Sequence, residues 1–537
     1  MDAHSMSFSS ASTRYKTPNK IYQDRARHLQ FDRSPRKLSI MDRVLQLETL
    51  EPSKRPHIGI VGAGFAGLRC ADILLRYGFR VTILEARNRL GGRISQESLP
   101  NGQLIDMGAN WIHGTEDNPI MDLARETGTS TSAEWAEEAF VFDEFGEMLH
   151  PKEAGEYSNM MWEIIKEASA HSRAHQHGPG IDPGETLWDF FQEHVPKKIP
   201  STEKDYEQKR KFVLQMADLW GAFVGSPVQT QSLKFFWLEE CIEGENLFAT
   251  GTYRKILETV AKPAINGATI RLQTRITDIH GKTASSSGKV RIKAADDDQI
   301  FEFDEVVLTT PLGWLKQNLQ AFHPALPPRL TQAIQNIGYG SLEKVYITFP
   351  EAFWLNPDST GRQFTGFGQW LFPSYAADTN PARWTNEVVE LASTKDGAHP
   401  TLLFYTYGDQ SKHITSSIRG LKTEKEKREW LVRYFEPYYS KLPCYDSKRD
   451  VPVAAVATDW SGDELAGNGS YANFQKGLRE GDKDVEVMRA GVPAEGIWLA
   501  GEHTAPFLAL GTSTGAYWSG EGIARSVAGK VLGKAEV

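Results

Sequence analysis

The chain has 537 residues, of which 24% are charged and 40% hydrophobic, ordinary globular values that exclude wholesale disorder and collagen-like repeats. Its net charge of −9 argues against nucleic-acid binding by the body of the protein, and its three cysteines are too few and too scattered for a disulfide scaffold or a Cys-rich zinc site. Mean hydropathy is −0.43 and no apolar run is long enough to span a bilayer, so a soluble, cytoplasmic protein of about three units, or two large interleaved ones, is expected.

Residues 1–55 differ from the rest. They carry eleven Lys/Arg against six Asp/Glu, a net +5 that leaves −14 on the remainder. Serine and proline punctuate the segment and apolar periodicity is weak, so it reads as a disordered basic tail. No apolar h-region follows the start, which argues against a signal peptide. The last residues, Ala535-Glu536-Val537, are no peroxisomal address.

Order begins at Pro56. His57-Ile58-Gly59-Ile60-Val61 reads as a buried strand and Gly62-Ala63-Gly64-Phe65-Ala66-Gly67 as a tight turn into a helix with apolar Leu68, Ala71, Leu74 and Leu75. A second strand, Arg80 to Leu84, leads to Glu85. In such a β-α-β unit Gly62 lets the chain leave the strand, Gly64 lets backbone approach a pyrophosphate, and Gly67 lets the helix pack on the strand. Glu85 falls twenty-three residues after Gly62, where a carboxylate accepts ribose hydroxyls and repels a 2′-phosphate. Farther along, 121–245 and 410–440 read as charged helical stretches and 302–309, 345–349 and 401–407 as strands. Ser285-Ser286-Ser287-Gly288 and Asp296-Asp297-Asp298 are turn signals.

Glu85-Ala86-Arg87 running into Leu90-Gly91-Gly92-Arg93 resembles the extended FAD fingerprint of the flavin-dependent amine oxidases, and Trp111-Ile112-His113-Gly114 is similar to their polyamine oxidase and spermine oxidase branch. The resemblance runs from about residue 57 to 530. It implies an α/β fold, with a Rossmann-type FAD-binding domain (56–115, 246–325, 455–537) interleaved with an α+β substrate-binding domain (116–245, 326–454).

The same resemblance implies the site. Arg87 and Arg93 would meet the pyrophosphate, with Ala66 in the first glycine turn. Gln273-Thr274-Arg275-Ile276 would form an adenine-contacting strand, Ile276 touching by its backbone. Gly108, Ala109, Asn110 and Trp111 would pass beside the isoalloxazine. Glu502, ending the apolar strand that starts at Ile497, would face the ribityl-phosphate region, and Gly515 and Ala516, in a small-residue helix, the pyrimidine edge. Trp460 packs on the flavin or in the core. Ser470 stands where monoamine oxidases carry a flavin-linked cysteine, which implies noncovalent FAD.

For catalysis the resemblance selects Lys344, holding a water against flavin N5. Strand alternation places it on one face with Leu342 and Tyr346. Tyr471 matches one wall of the family's aromatic cage, while Thr512 falls where many members have the second, a departure that opens the cage. His113 faces the substrate channel or is bonded in the domain interface. Glu239-Glu240 and Glu243-Gly244-Glu245 line a tunnel for a polycation or are a solvated run.

The expected activity is oxidation of an amine, a polyamine foremost, by O₂, with small-molecule partners only, no metal, no membrane, and a monomer or weak homodimer. An L-amino-acid oxidase, a secondary-metabolite amine oxidase and a chromatin-associated lysine demethylase stay open beside it.

Overall fold

The structure, a computed structural model, describes residues 51–132, 140–176, 180–283, 288–295 and 299–533. Residues 1–50 of the basic tail, the turn signals at 285–287 and 296–298, and the C-terminal tripeptide lie outside these.

Two sheets position the site. Their strands are β1 (His57–Val61), β2 (Arg80–Leu84), β3 (Phe140–Phe142), β4 (Thr269–Arg271), β5 (Glu305–Leu308), β6 (Leu342–Thr348), β7 (Phe367–Trp370), β8 (Asn386–Glu390), β9 (Thr401–Tyr407), β10 (Ala454–Ala457) and β11 (Ile497–Leu499). The first sheet has the order β11-β5-β1-β2-β4 and every pairing in it is parallel. Ile58, Ile60 and Val61 of β1 are buried, as in a strand covered on both faces. Helix α1 (Phe65–Arg76) covers one face and packs against α2 (Ser513–Val531), the last helix. The crossing is close because Gly520 meets the backbone of Ala66, where a Cβ would lie 2.9 Å from Ala66 Cα. The two ends of the described chain are thereby locked together.

The second sheet runs β10-β6-β9-β8-β7-β3, antiparallel except for β7 against β3. Its outer face packs under the helices Gly408–Arg419 and Glu424–Tyr439 through Phe404, Ile414, Leu431 and Phe435. Its inner face carries Leu342, Tyr346, Leu403 and Tyr405 against Trp111 and Phe248. Helices at Pro151–Ala174, Leu187–Lys198 and Tyr206–Ala217 fill the charged helical stretch anticipated between 121 and 245.

Two boundaries differ from the sequence reading. Strand β10 starts at Ala454 and pairs with β6, so the chain leaves the six-stranded sheet after 457 rather than before 455. The 302–309 run is two strands, Ile300–Phe303 and β5, broken at Asp304, whose carboxylate accepts the backbone N–H of His57 at 2.7 Å. Among the described residues, no helix is long and apolar enough to cross a membrane.

Candidate active site

The turn after β1 is shaped as its glycines require. Gly62 has φ +103°, and a Cβ on it would lie 2.6 Å from Thr309 Oγ1, while one on Gly67 would strike the carbonyl of Gly62. Gly64 is different: the nearest atom to its Cβ position is Gly91 O at 3.9 Å, so the α1 N-terminus can be approached. Glu85, 7% exposed, accepts Ala63 N–H at 2.7 Å through one oxygen and Arg87 N–H at 2.8 Å through the other. Segment 272–275 lies along this corner, Thr274 N–H donating to Glu85 O at 2.8 Å and Gln273 N–H to Arg87 O at 2.9 Å. It is loop rather than the expected strand, because Gln273 takes φ +54° and only Ile276 enters a strand (Ile276–His280).

The two anticipated phosphate cations are both engaged. Arg87 donates to Asp463 at 2.6 Å. Arg93 donates to Glu502 at 3.1 Å and to Ser470 O at 2.5 Å. Glu502, 4% exposed, also faces Ala472 N–H at 3.3 Å, so the carboxylate assigned to the ribityl-phosphate region is already paired with a partly buried cation. Arg89, which the sequence reading passed over, donates to Leu90 O and Gly92 O at 3.2 and 3.0 Å and braces the second glycine turn. Its signal was its place between Arg87 and the Gly91-Gly92 pair.

Lys344 is 5% exposed and points into the peptide 106–111, donating to Asp106 O at 3.3 Å and to Gly108 O. Burial drives its ammonium well below lysine's ordinary range, with Asp106 opposing. Burial raises the Asp106 carboxyl in turn, against Gln96, Lys344 and the Tyr253 N–H. Asp106 accepts Gln96 at 2.6 Å and Tyr253 N–H at 3.0 Å, and its carbonyl accepts Tyr346 OH at 2.6 Å. Gly108 is obligatory, since a Cβ there would overlap the Arg93 carbonyl. Ala109 packs on the α1 core, and Asn110 and Trp111 donate to Tyr405 OH at 3.0 and 2.9 Å.

Trp460 bonds Met107 O through Nε1 at 3.0 Å. The turn carrying it is fixed by the fully buried Glu343, which accepts Trp460 and Ser461 N–H at 3.1 and 2.6 Å. The bonded Trp460 lies 117 residues from Glu343, so the pairing has no local signature.

At the far end, Tyr471 OH donates to Phe223 O at 2.8 Å, and its ring edge lies 3.5 Å from the Cβ position of Gly511. Thr512, beside it, is the N-cap of α2: its hydroxyl accepts Gly515 N–H at 2.9 Å and donates to Ala509 O at 2.8 Å. The cage departure thus carries a structural duty the sequence reading did not assign. A Cβ on Gly515 would lie 2.7 Å from Ala505 Cβ, and Ala516 packs towards α1. Ser470 has its hydroxyl turned inward, to Gly340 O and Leu342 N–H at 3.1 Å each.

His113 is bonded to Asn246, and burial lowers its pKa. Of the acidic run, Glu240 is held by Ser169 and Arg173. Glu239 accepts Phe474 N–H at 3.3 Å, and burial pushes its carboxyl up to about 8. Glu243 is exposed.

The cradle fits FAD. Gly64 is open to a pyrophosphate, Glu85 is poised at the end of β2, and His503, 1% exposed next to Glu502, has both ring nitrogens without a partner among the described residues. A model of the family described as flavin containing amine oxidoreductase matches residues 65–528. The chain belongs to that family. FAD, which the fingerprint already implied, is accordingly its cofactor. Among individual amine oxidase relatives, the chain is 28% identical over 332 residues to probable polyamine oxidase 4 of Arabidopsis thaliana, covering 59% of this chain and 63% of that one. It is 26% identical over 486 residues to polyamine oxidase 3 of Oryza sativa subsp. japonica, covering 87% and 88%. It is also 26% identical over 465 residues to the protein FLOWERING LOCUS D of Arabidopsis thaliana, covering 84% of this chain and 53% of that one. The first and last of these matches span less than two thirds of the relatives' own lengths.

Proposed function

We propose that this protein oxidises amines, polyamines foremost, using noncovalent FAD held in a Rossmann-type domain built from 56–115, 246–325 and the chain beyond 457, beneath a substrate domain of 116–245 and 326–457. Gly62, Gly64, Gly67, Glu85, Arg93 and Glu502 would hold the cofactor, and Ser470 cannot form a thioether to it. When bound, FAD supplies a two-electron acceptor for hydride from the amine α-carbon, and O₂ takes the electrons to give hydrogen peroxide.

The chain's own part is positioning and proton control. The inner face of the six-stranded sheet and Tyr471 exclude water, which favours the neutral amine that can lose hydride. Lys344, its proton loosened by burial, can hold a water by hydrogen bond and exchange a proton with it as the imine is hydrolysed to aldehyde and amine. The observation that carries this reading is the buried Lys344 ammonium aimed at Gly108 O, in the peptide assigned to the isoalloxazine. The test is a peroxide assay of the purified holoprotein over spermine, spermidine, their acetylated forms, monoamines and amino acids. Activity confined to amino acids would overturn it.

A second reading, removal of methyl groups from lysine, is favoured by Thr512 in place of a second aromatic wall. A methylated lysine peptide belongs in the same assay.

A further inference from the structure

One row of side chains crosses the inner face of the six-stranded sheet. Gln369 of β7 is the register partner of Glu387 in β8, Glu387 of Tyr405 in β9, and Tyr405 of Lys344 in β6. Directly opposed residues in antiparallel strands point to one face, so all four side chains look towards the peptide 106–111. Lys344 and Tyr405 are accounted for by their bonds to it. Glu387 and Gln369 are not.

Glu387 is 9% exposed, and among the described residues its carboxylate accepts a single hydrogen bond, from Gln369 Nε2 at 3.0 Å. Gln369 Oε1 is itself buried and unpartnered. Two acceptors therefore stand together with one donor between them, an arrangement that is costly unless something brings N–H groups and positive charge. Aromatic side chains stand beside the pair: Phe367, two residues before Gln369 on β7, lies nearly parallel to Trp111 with ring centroids 6.5 Å apart, and Tyr405 adjoins Glu387 in the row. Burial holds the Glu387 carboxyl up at about 7, as expected of an acid without a cation.

We propose that Glu387 and Gln369 form a subsite for a primary or secondary ammonium, the substrate nitrogen remote from the one being oxidised. A carboxylate, an amide oxygen and π faces are what an alkylammonium requires, with N–H donors to the two oxygens and charge to the carboxylate and rings. The subsite lies two strand spacings from Lys344, roughly 10 Å, so it reads a distant nitrogen and favours substrates with at least two. The inference rests on the amine-oxidase reading above.

The test is Glu387→Gln in the holoenzyme, with Gln369→Leu as the second variant. The ratio of kcat/KM for spermine to that for a long-chain N-alkyl monoamine is expected to fall about tenfold or more in Glu387→Gln, and in the same direction in Gln369→Leu. Calorimetric affinity for 1,8-diaminooctane should fall with it. Without amine, Glu387→Gln should melt at or above the wild-type temperature, because an uncompensated buried charge has been removed. An unchanged ratio and diamine affinity, or a lowered melting temperature with both substrates equally impaired, would overturn the subsite. Failure of the wild type to oxidise any amine would instead overturn the parent reading, while diamine affinity still decides the subsite.

Discussion

Lys344 and Tyr405 are register partners on adjacent strands, and both reach the same short peptide. Lys344 donates to the carbonyls of Asp106 and Gly108, and Tyr405 OH accepts from Asn110 and Trp111. The sheet thus grips the segment assigned to the flavin from both ends. Lys344→Met is expected to keep its FAD and lower the turnover rate by about 10²-fold or more, read by stopped-flow absorbance and peroxide release. A variant with full turnover would remove Lys344 from the mechanism.

Arg93, a quarter exposed, and the buried Glu502 form an ion pair beside the glycine turns. Arg93→Ala leaves the buried Glu502 carboxylate without its charged partner, a loss of about 1–3 kcal/mol where the cation itself is partly open to water. The expected outcome is protein purified largely without FAD, with a lowered melting temperature that added FAD does not restore. FAD content by absorbance after denaturation checks it.

Two glycines of the same helix pair should behave oppositely. Gly520→Ala drives a methyl into the Ala66 backbone and is expected to cost about 1–3 kcal/mol whether or not FAD is present. Gly64→Val has room for its Cβ, so the fold should persist while the approach to the α1 N-terminus is filled. Melting curves with and without added FAD distinguish them: the cofactor should raise the melting point of the first variant and leave that of the second unmoved.

Thr512→Ala removes the N-cap of α2 and should destabilise by about 1 kcal/mol, with Thr512→Ser restoring most of it. Thermal melts of the two variants are the check. An unaltered melting point in Thr512→Ala would leave the threonine with a substrate-facing role alone.

Burial raises the folded-state Glu239 carboxyl from 4.5 to about 8. Between those values the folded protein holds a proton that the unfolded chain has released, so stability from this group is greatest at acid pH and is lost as pH rises towards 8. Glu239→Gln should therefore stabilise progressively from pH 5 to 8 and level off above, as followed by chemical denaturation at several pH values.

Features carried by local pattern were legible before the fold. The turn Gly62 to Gly67, the strand ending at Glu85, and the alternation putting Lys344 with Leu342 and Tyr346 all depend on neighbours within a few positions. What escaped depends on register between distant strands or on partners far along the chain. Arg87 meets Asp463, Arg93 meets Glu502, and Asp106 gains its charged neighbour only from β6. Thr512 reads in the sequence only as the open wall of the cage, and its capping of α2 follows from where that helix begins. The tetrad Gln369–Glu387–Tyr405–Lys344 spans three separate pairings, and nothing in a linear string aligns them.

The most direct measurement is the flavin spectrum of purified protein mixed anaerobically with spermine, followed by admission of air. Bleaching of the oxidised flavin band, then its return with one peroxide formed per amine consumed, is the predicted result. A bound flavin that stays oxidised with every amine yet bleaches with free amino acids would contradict the assignment.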